Sequence, residues 1–403
     1  MNPAGKREPA PAPDAQPSQP SQAPRLPQAP RLPRAPRLPQ PSRAPRPVSF
    51  GLVGSGWRAE FYLRIAHALP DRFQVAGVVA RRPQRRAELH RTWSVPVFAS
   101  LEELLAAGRP DFVVTALPRT VNAHTVAELA RRGVPVLSET PPAAGLEEMT
   151  ALVDAVGDAV VEVAEQYQYL PTYAAALQSA SRGVLGEVTS AQVSVAQTYH
   201  AISLLRRFLG VGMADATVTA VEFTSELAHG PGRDGWQREG TTTARQTIAT
   251  LHFGDRLGLY DFTSGQWFHP LLGRRLVVRG QRGELIDDRI TCLHTPRTPS
   301  LLRFERHQTG TGADLGGFHL EGISLGPDRL YRNPYAPARL ADEEIAIATC
   351  LSRMADRLAG DPGPYPLAEA CQDHYLGLAV EEAVRTGRPV TTVRQPWALT
   401  RRG

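Results

Sequence analysis

A run of apolar residues that stops at two glycines and resumes at once as helix constrains this chain more than any other stretch. In VSFGLVGSGWRAEFY, residues 48–62, Val48, Phe50, Leu52 and Val53 form the run and Gly54-Ser55-Gly56 the stop. Arg58, Ala59, Glu60, Phe61 and Tyr62 then begin helical spacing. Strand, glycine turn and helix N-terminus in that order make an anion site, because unpaired N–H groups and the positive end of the helix dipole both face the turn. A dinucleotide pyrophosphate is the ligand such a turn takes. Gly54 suits the tight turn, Gly56 lets backbone approach a phosphate, and Ala59 stands where a third glycine commonly sits. Ser55 and Trp57 complete the candidate cradle. Glycines also occupy strand–helix turns for steric reasons alone, so the context decides.

That context is a regular alternation. Strand-like Phe73–Ala80 follows the first helix (Arg58–Ala68), then helix Pro83–Thr92, a short VPVFAS segment and helix Leu101–Ala107. Strand Asp111–Leu117, helix Asn122–Arg132, strand Val134–Ser138, helix Leu146–Val156 and strand Ala159–Ala164 complete the series. Short apolar strands separated by helices of about ten residues predict a doubly wound parallel sheet with right-handed crossovers. The second half reads differently. After a helix at Thr172–Ser181, strand-like stretches recur at Glu187–Thr198, Ala216–Phe223, Thr241–Phe253, Leu257–Thr263 and Arg275–Gly280. Residues 191–195 alternate by twos, as a half-buried antiparallel strand should. Two helices, Asp342–Ala359 and Leu367–Thr386, close the chain. The expected class is α/β. An N-terminal dinucleotide-binding domain, residues 48–165, precedes an α+β domain, residues 166–403, built on an open, mostly antiparallel sheet.

Composition narrows the function classes. With 42% hydrophobic residues the chain can bury a sizeable core, and no apolar run approaches the length of a membrane span. A soluble, cytoplasmic protein is expected, with no membrane partner. The three cysteines, Cys292, Cys350 and Cys371, lie far apart without CxxC spacing, so buried free thiols are expected rather than disulfides or a metal site. The net charge of +5 would suggest nucleic acid, but residues 1–47 carry eight basic and two acidic side chains, leaving the rest near neutral. No nucleic-acid face is therefore expected on the folded part. The same 47 residues repeat APRLPQ-APRLPR-APRLPQ, a composition that predicts a disordered, polyproline-leaning tail. Its PxxP spacing could dock an SH3-like groove.

Cofactor preference is set where the second strand ends. An acidic residue there accepts from the ribose 2′-OH of NAD. This strand ends Ala80-Arg81-Arg82, with no carboxylate before Glu88. Guanidinium groups suit a 2′-phosphate, so NADP(H) is preferred and NAD(H) remains an option. Two solvated loop arginines are the alternative reading.

Taken in order, GLVGSG, TALP, GVPVLSETPPA, YHAISLLRRFLG and YPLAEACQDHYLGLAVEEAVRTGRPV resemble the Gfo/Idh/MocA family of NAD(P)-dependent oxidoreductases. The resemblance covers essentially Val48–Val393. It implies a Rossmann domain followed by a domain whose open sheet walls the substrate pocket and often forms an oligomer interface. A homodimer or tetramer is expected on that ground. The loops after the fourth and fifth strands would continue the cofactor site through Leu117, Pro118, Glu139 and Pro141.

The family's proton-transfer residues carry over only in part. The usual Glu-Lys-Pro reads Glu139-Thr140-Pro141, so its lysine is Thr140, which hydrogen-bonds but holds no proton equilibrium near neutral pH. His200 matches the family histidine, while the Asp position four residues earlier holds Ala196 and the acid three residues later is Ser203. Imidazole, with an ordinary pKa of about 6.5, suits proton donation to a carbonyl or imine. A helix-capping histidine is the competing reading. His200 is thus the candidate proton donor, with Tyr199 and Thr140 as hydrogen-bonding neighbours. Glu165 and Gln166 are candidates for substrate hydroxyls. Tyr167, Tyr169, His124, Trp236, Trp267, His269 and Arg274 are lesser pocket candidates, and His374 reads as structural.

The expected function is NADPH-dependent reduction of a small carbonyl or imine substrate, sugar-like or biosynthetic. The alternative is a catalytically degenerate NADP(H)-binding sensor or regulatory protein. A scaffold recruiting partners through its proline-rich tail is a third reading.

Overall fold

The computed structural model describes residues 46–233, 235, 236 and 239–398 of the 403. The expected tail therefore lies outside the described residues, except for its last two. One of these, Arg46, is no longer tail: its guanidinium clasps both carboxylate oxygens of Asp111, which also accepts from Ser49 N at 2.8 Å. That clasp fixes the entry into the first strand.

Strand β1 (Val48–Val53) leads through the glycine turn into α1 (Trp57–Ala68). Next come β2 (Phe73–Val79), α2 (Pro83–Trp93), β3 (Val97–Phe98), α3 (Leu101–Gly108) and β4 (Phe112–Thr115). Helix α4 (Arg119–Arg131), β5 (Val136–Ser138), α5 (Leu146–Val156) and β6 (Val161–Val163) finish the first half. Among the described residues these strands form a six-stranded sheet in the order β3-β2-β1-β4-β5-β6, parallel throughout. This doubly wound order reverses between β1 and β4, where open α/β sheets bind ligands. Both faces are covered, so the strands are apolar without alternation. Phe50, Leu52, Phe112, Val114 and Leu137 are at most 0% exposed, each side chain worth about 1.5–3 kcal/mol on burial. Helix α3 starts where Ser100 Oγ accepts from Glu103 N, and Glu103 returns a bond to Ala99 N, so local capping fixes its first turn.

In the second half, α6 (Pro171–Ser181) and β7 (Val188–Ser194) precede α7 (Thr198–Leu209). Strands β8 (Thr217–Ala228), β9 (Thr241–Phe253), β10 (Arg256–Thr263) and β11 (Arg275–Gly280) follow. Five further strands were not expected: β12 (Gly283–Ile286), β13 (Arg289–Thr295), β14 (Thr298–Gln308), β15 (Leu320–Leu325) and β16 (Asp328–Arg332). Their exposed positions mix apolar Ile286, Leu293 and Leu301 with charged residues, so a clean alternation of apolar and polar residues is missing. Helices α8 (Asp342–Leu358) and α9 (Leu367–Thr386) and strand β17 (Val390–Thr391) complete the described chain. The second sheet has eleven strands among the described residues, ordered β16-β15-β14-β13-β12-β11-β7-β10-β9-β8-β17.

Two expectations need correction. The stretch Glu187–Thr198 is not one long strand, because β7 ends at Ser194 and Tyr199 and His200 sit in the first turn of α7. Strand β7 is antiparallel only to β11; it runs parallel to β10. Alternation by twos reports burial on one face, and it is blind to the direction of the neighbouring strand.

Helices α6, α7 and α9 lie against one face of the second sheet, while α8 lies on α1. On the opposite face, among the described residues, Val221, Phe223 and Ile248 are 62%, 61% and 42% exposed. Ion pairs tie the closing helices down. Arg64 of α1 bonds Glu344 of α8 at 2.6 Å. The nearly buried Arg206 of α7 holds Glu369 and Asp373 of α9. Cys350 and Cys371 are buried as expected, whereas Cys292 is half-buried. No described helix is long and apolar enough to cross a membrane.

Candidate functional site

The glycine turn is shaped by a close backbone approach. Gly54 adopts φ +123°, and a Cβ there would stand 2.2 Å from the Ala116 carbonyl oxygen at the end of β4. Only glycine tolerates both the dihedral and the contact. Gly56 is the N-cap of α1 with no side-chain cap, and a Cβ on it would meet nothing within 4 Å. The Ala59 N–H turns back to the Gly56 carbonyl at 3.0 Å, and no side chain caps the earlier N–H groups of the turn, the geometry an anion needs. Ala59 is fully buried behind it, where a larger residue would separate helix from sheet.

A cavity of about 440 Å³ opens beside this turn, lined by Ser55, Arg81 and Arg82. Among the described residues neither Arg81 nor Arg82 makes a side-chain ion pair, and both are exposed. The adjacent arginines are committed elsewhere. Arg85 pairs with Glu60 and Glu88 and donates to the Ser55 carbonyl at 3.1 Å. Arg86 donates to the carbonyls of Ala80 and Arg81. The carboxylates nearest the turn are thus neutralised, and two cations remain free to face a phosphate. Trp57, 37% exposed, lies under the guanidinium of Arg233 at 4.6 Å. Arg233 comes from the β8–β9 connection, far away in sequence, and no local spacing signals it.

The loops after β4 and β5 follow. Leu117 is half-buried, and Pro118 is the exposed N-cap of α4. Glu139 is nearly buried and turns inward: Tyr62 Oη donates to it at 2.6 Å, and Arg58 Nε stands 3.6 Å away. Burial disfavours the Arg58 charge, but Glu139 and Glu343 overcome this and raise its pKa. Thr140 is half-buried, and the Thr140–Pro141 bond is cis. Gln166 Nε2 donates to Glu343 at 2.9 Å, so a chain of polar contacts runs from Glu139 through Arg58 and Glu343 to the end of β6.

His200 lies near that end. Its Nδ1 is 2.6 Å from Glu165 Oε2, and Glu165 is 0% exposed. The other Glu165 oxygen accepts from Ser203 Oγ at 3.0 Å and from Tyr167 N at 3.3 Å. Glu165, a candidate for substrate hydroxyls, is instead fully engaged in holding an imidazole. Tyr167 stacks on His200 with ring centroids 4.5 Å apart and an interplanar angle of 29°. The imidazole is fixed on one nitrogen and one face, while Nε2 has no described partner. Such a group can pass one proton through Nε2 while the carboxylate holds the ring in place. The carboxylate missing at Ala196, which is buried, is thus supplied from another element.

Tyr199 meets the edge of His200 at 5.2 Å, but its hydroxyl is buried without a hydrogen-bond partner, and burial raises its pKa well above the ordinary value. Trp267 meets Tyr167 edge-on at 5.8 Å, and the Arg274 guanidinium lies 4.1 Å over Trp267. The remaining candidates sit apart. His124 is exposed on α4, and Trp236 is 74% exposed. His269 bonds the Ala228 carbonyl and the Leu271 amide, and Tyr169 donates to the Pro364 carbonyl at 2.6 Å. His374 bonds the Ala144 carbonyl, and burial lowers its pKa, as suits a structural residue. No cluster of three metal-ligating side chains occurs among the described residues.

Residues 48–167 match the model of an oxidoreductase family, Gfo/Idh/MocA, with an NAD-binding Rossmann fold. The rhizopine catabolism protein MocA of Rhizobium meliloti is 30% identical over 118 residues, 29% of this chain and 34% of that protein. The D-xylose 1-dehydrogenase (NADP(+)) 2 of Haloferax volcanii is 32% identical over 122 residues, 29% of this chain and 38% of that one. The similarity thus spans just over a third of each relative's length. A levoglucosan dehydrogenase solved with NADH and levoglucosan shares the fold, with TM-score 0.63 and 16% identity over 87% of this chain and all of that one.

Proposed function

Because residues 48–167 belong to the Gfo/Idh/MocA oxidoreductase family, we propose that this chain is an NAD(P)-dependent oxidoreductase that reduces a small carbonyl or imine substrate. The glycine turn fits the dinucleotide: Gly54 and Gly56 leave backbone room for the pyrophosphate beside the uncapped N-terminus of α1. Ser55 and Trp57 flank it, and Leu117, Pro118, Glu139 and Pro141 belong to the loops that would reach the nicotinamide end. Arg81 and Arg82, unpaired at the cavity mouth, favour NADP(H) over NAD(H). When bound, the reduced nicotinamide supplies the hydride.

The observation that carries catalysis over mere binding is the Glu165–His200 pair. His200 delivers the proton to the substrate oxygen or nitrogen from Nε2 as carbon takes the hydride. Glu165 positions the ring through Nδ1 and is in turn held by Ser203 and Tyr167 N. Thr140 is a hydrogen-bonding neighbour without a proton equilibrium of its own. Tyr199 packs the ring from its edge, and its enclosed hydroxyl argues against direct contact with substrate. A sensor that binds NADP(H) without turnover has no use for a buried carboxylate holding a histidine, so the enzyme reading is preferred. The exposed Val221, Phe223 and Ile248 on the second sheet support a homo-oligomer.

The test is a fluorescence titration with NADPH and NADH, followed by a screen of aldehydes, ketones, imines and sugars for NADPH consumption. Failure to bind either nucleotide would sink the reading. Nucleotide binding without turnover of any compound would favour the sensor.

A further inference from the structure

We propose that the substrate is a sugar-sized carboxylic acid, and that Arg274 is the residue that binds its carboxylate. This rests on the oxidoreductase reading above and deepens it. A cavity of about 320 Å³ lies between α6 and the second sheet, lined by Thr172, Tyr173, Arg274, Leu276 and Asp287 among others. Aromatic contacts join it to His200. Tyr167 stacks on His200 and also lies parallel to Tyr173, at 6.4 Å and 11°. Trp267 closes on Tyr167 from its edge. Together these rings make an apolar shelf running from the proton donor to the cavity.

Arg274 stands at the far end of that shelf. Its guanidinium lies over the Trp267 ring at 4.1 Å from the centroid, and Nη2 of this exposed side chain donates to the Trp267 carbonyl oxygen at 3.4 Å. The side chain is therefore oriented without being neutralised: among the described residues no carboxylate comes within ion-pair distance. The two acids lining the cavity are turned to other donors. Asp287 accepts from Leu276 N at 2.8 Å, and Asp288 from Arg303 Nε at 2.6 Å. A planar cation placed by a ring contact at the cavity, with no carboxylate partner of its own, matches a carboxylate in two-point fashion. Small-molecule sites combine such a fixed polar group with an aromatic lining. A hexuronate or aldonate would rest its C–H face on the rings, place its carboxylate at Arg274 and bring its other end toward His200.

The experiment is calorimetric titration of the full chain, with and without NADP⁺, using D-glucuronate and D-gluconate against D-glucose. Arg274→Gln and Arg274→Lys are compared with the parent, and Trp267 quenching serves as a second readout. The expected result is preference for the acids, lost by about 10–100-fold in Arg274→Gln, partly kept in Arg274→Lys, with any glucose binding unchanged. Equal affinity for acid and neutral sugar, no acid binding, or equal loss of both in Arg274→Gln would overturn the proposal. Arg274-dependent acid binding without NADPH oxidation or NADP⁺ reduction would uphold this site and count against the catalytic reading instead.

Discussion

Single side chains carry most of the chemistry assigned to this chain, and each is open to a direct measurement. His200 is held on Nδ1 by a fully buried carboxylate, leaving Nε2 for the reaction. Replacing it with alanine should cut turnover by about 10²–10⁴-fold, the usual contribution of a general acid, with NADPH affinity unchanged in a fluorescence titration. Glu165→Gln keeps the shape but replaces the charged acceptor that holds Nδ1, so it should slow turnover of reduction while leaving nucleotide affinity alone. Parent-level turnover in both variants would remove the pair from the mechanism. At the other end of the cleft, Arg81→Ser/Arg82→Ser should weaken NADPH binding by about 10–100-fold and leave NADH nearly untouched, because each charge-assisted contact to the 2′-phosphate is lost only with NADPH. A parallel loss with both nucleotides would point to a structural role for these arginines.

Among the elements, α7 presents the histidine and its attachment to α9 is the part most sensitive to conditions. Arg206 reaches from α7 to Asp373 and Glu369, and Tyr365 Oη also donates to Asp373. Burial pushes the Asp373 carboxyl up to about 6 from 3.8, outweighing the pull of Arg206 and Tyr365. A carboxyl with a raised pKa in the folded chain is protonated there before it is in the unfolded chain. Its cost to stability is complete above that folded pKa and fades as pH falls toward the unfolded value. The parent should therefore gain stability relative to Asp373→Asn as pH is lowered from about 6 to about 4. Urea unfolding of both across that range measures the difference, and a pH-independent gap would refute the assignment. The same variant weakens the tether between α7 and α9, since Asn offers Arg206 a neutral acceptor.

For the molecule as a whole, the unbalanced feature is the second sheet. One face is packed under α6, α7 and α9, while the other leaves Val221 directly opposite Ile248, with Phe223 two residues along β8. Adjacent exposed apolar side chains on a broad sheet are the usual mark of an interface. A Val221→Asp/Phe223→Asp double variant should shift the chain from dimer or tetramer to monomer in size-exclusion chromatography with light scattering. A parent that already runs as a monomer would dismiss the interface.

The sequence by itself determined the first half. Glycine spacing, strand–helix alternation and the Ala80-Arg81-Arg82 ending are local patterns, and local patterns follow from backbone geometry and side-chain period. Gly54 could be assigned to a tight turn because only glycine accepts that backbone. The later strands were less legible: β12–β14 expose apolar as well as charged residues and β15 is buried on both faces, so no single alternation marks them and their pairing shows only in the sheet. The proton-transfer site was half legible. His200 stood out by resemblance, yet its partner is 35 positions earlier in the chain, between a strand and a 3₁₀ turn. Read in order, Ala196 and Ser203 looked like an erased acid set. Folding brings Glu165 to His200 and gives Ser203 a place as donor to that carboxylate. The same holds for Arg233 over Trp57. Contacts between residues far apart in sequence are set by how sheets and helices pack, a three-dimensional property that no spacing along the chain encodes.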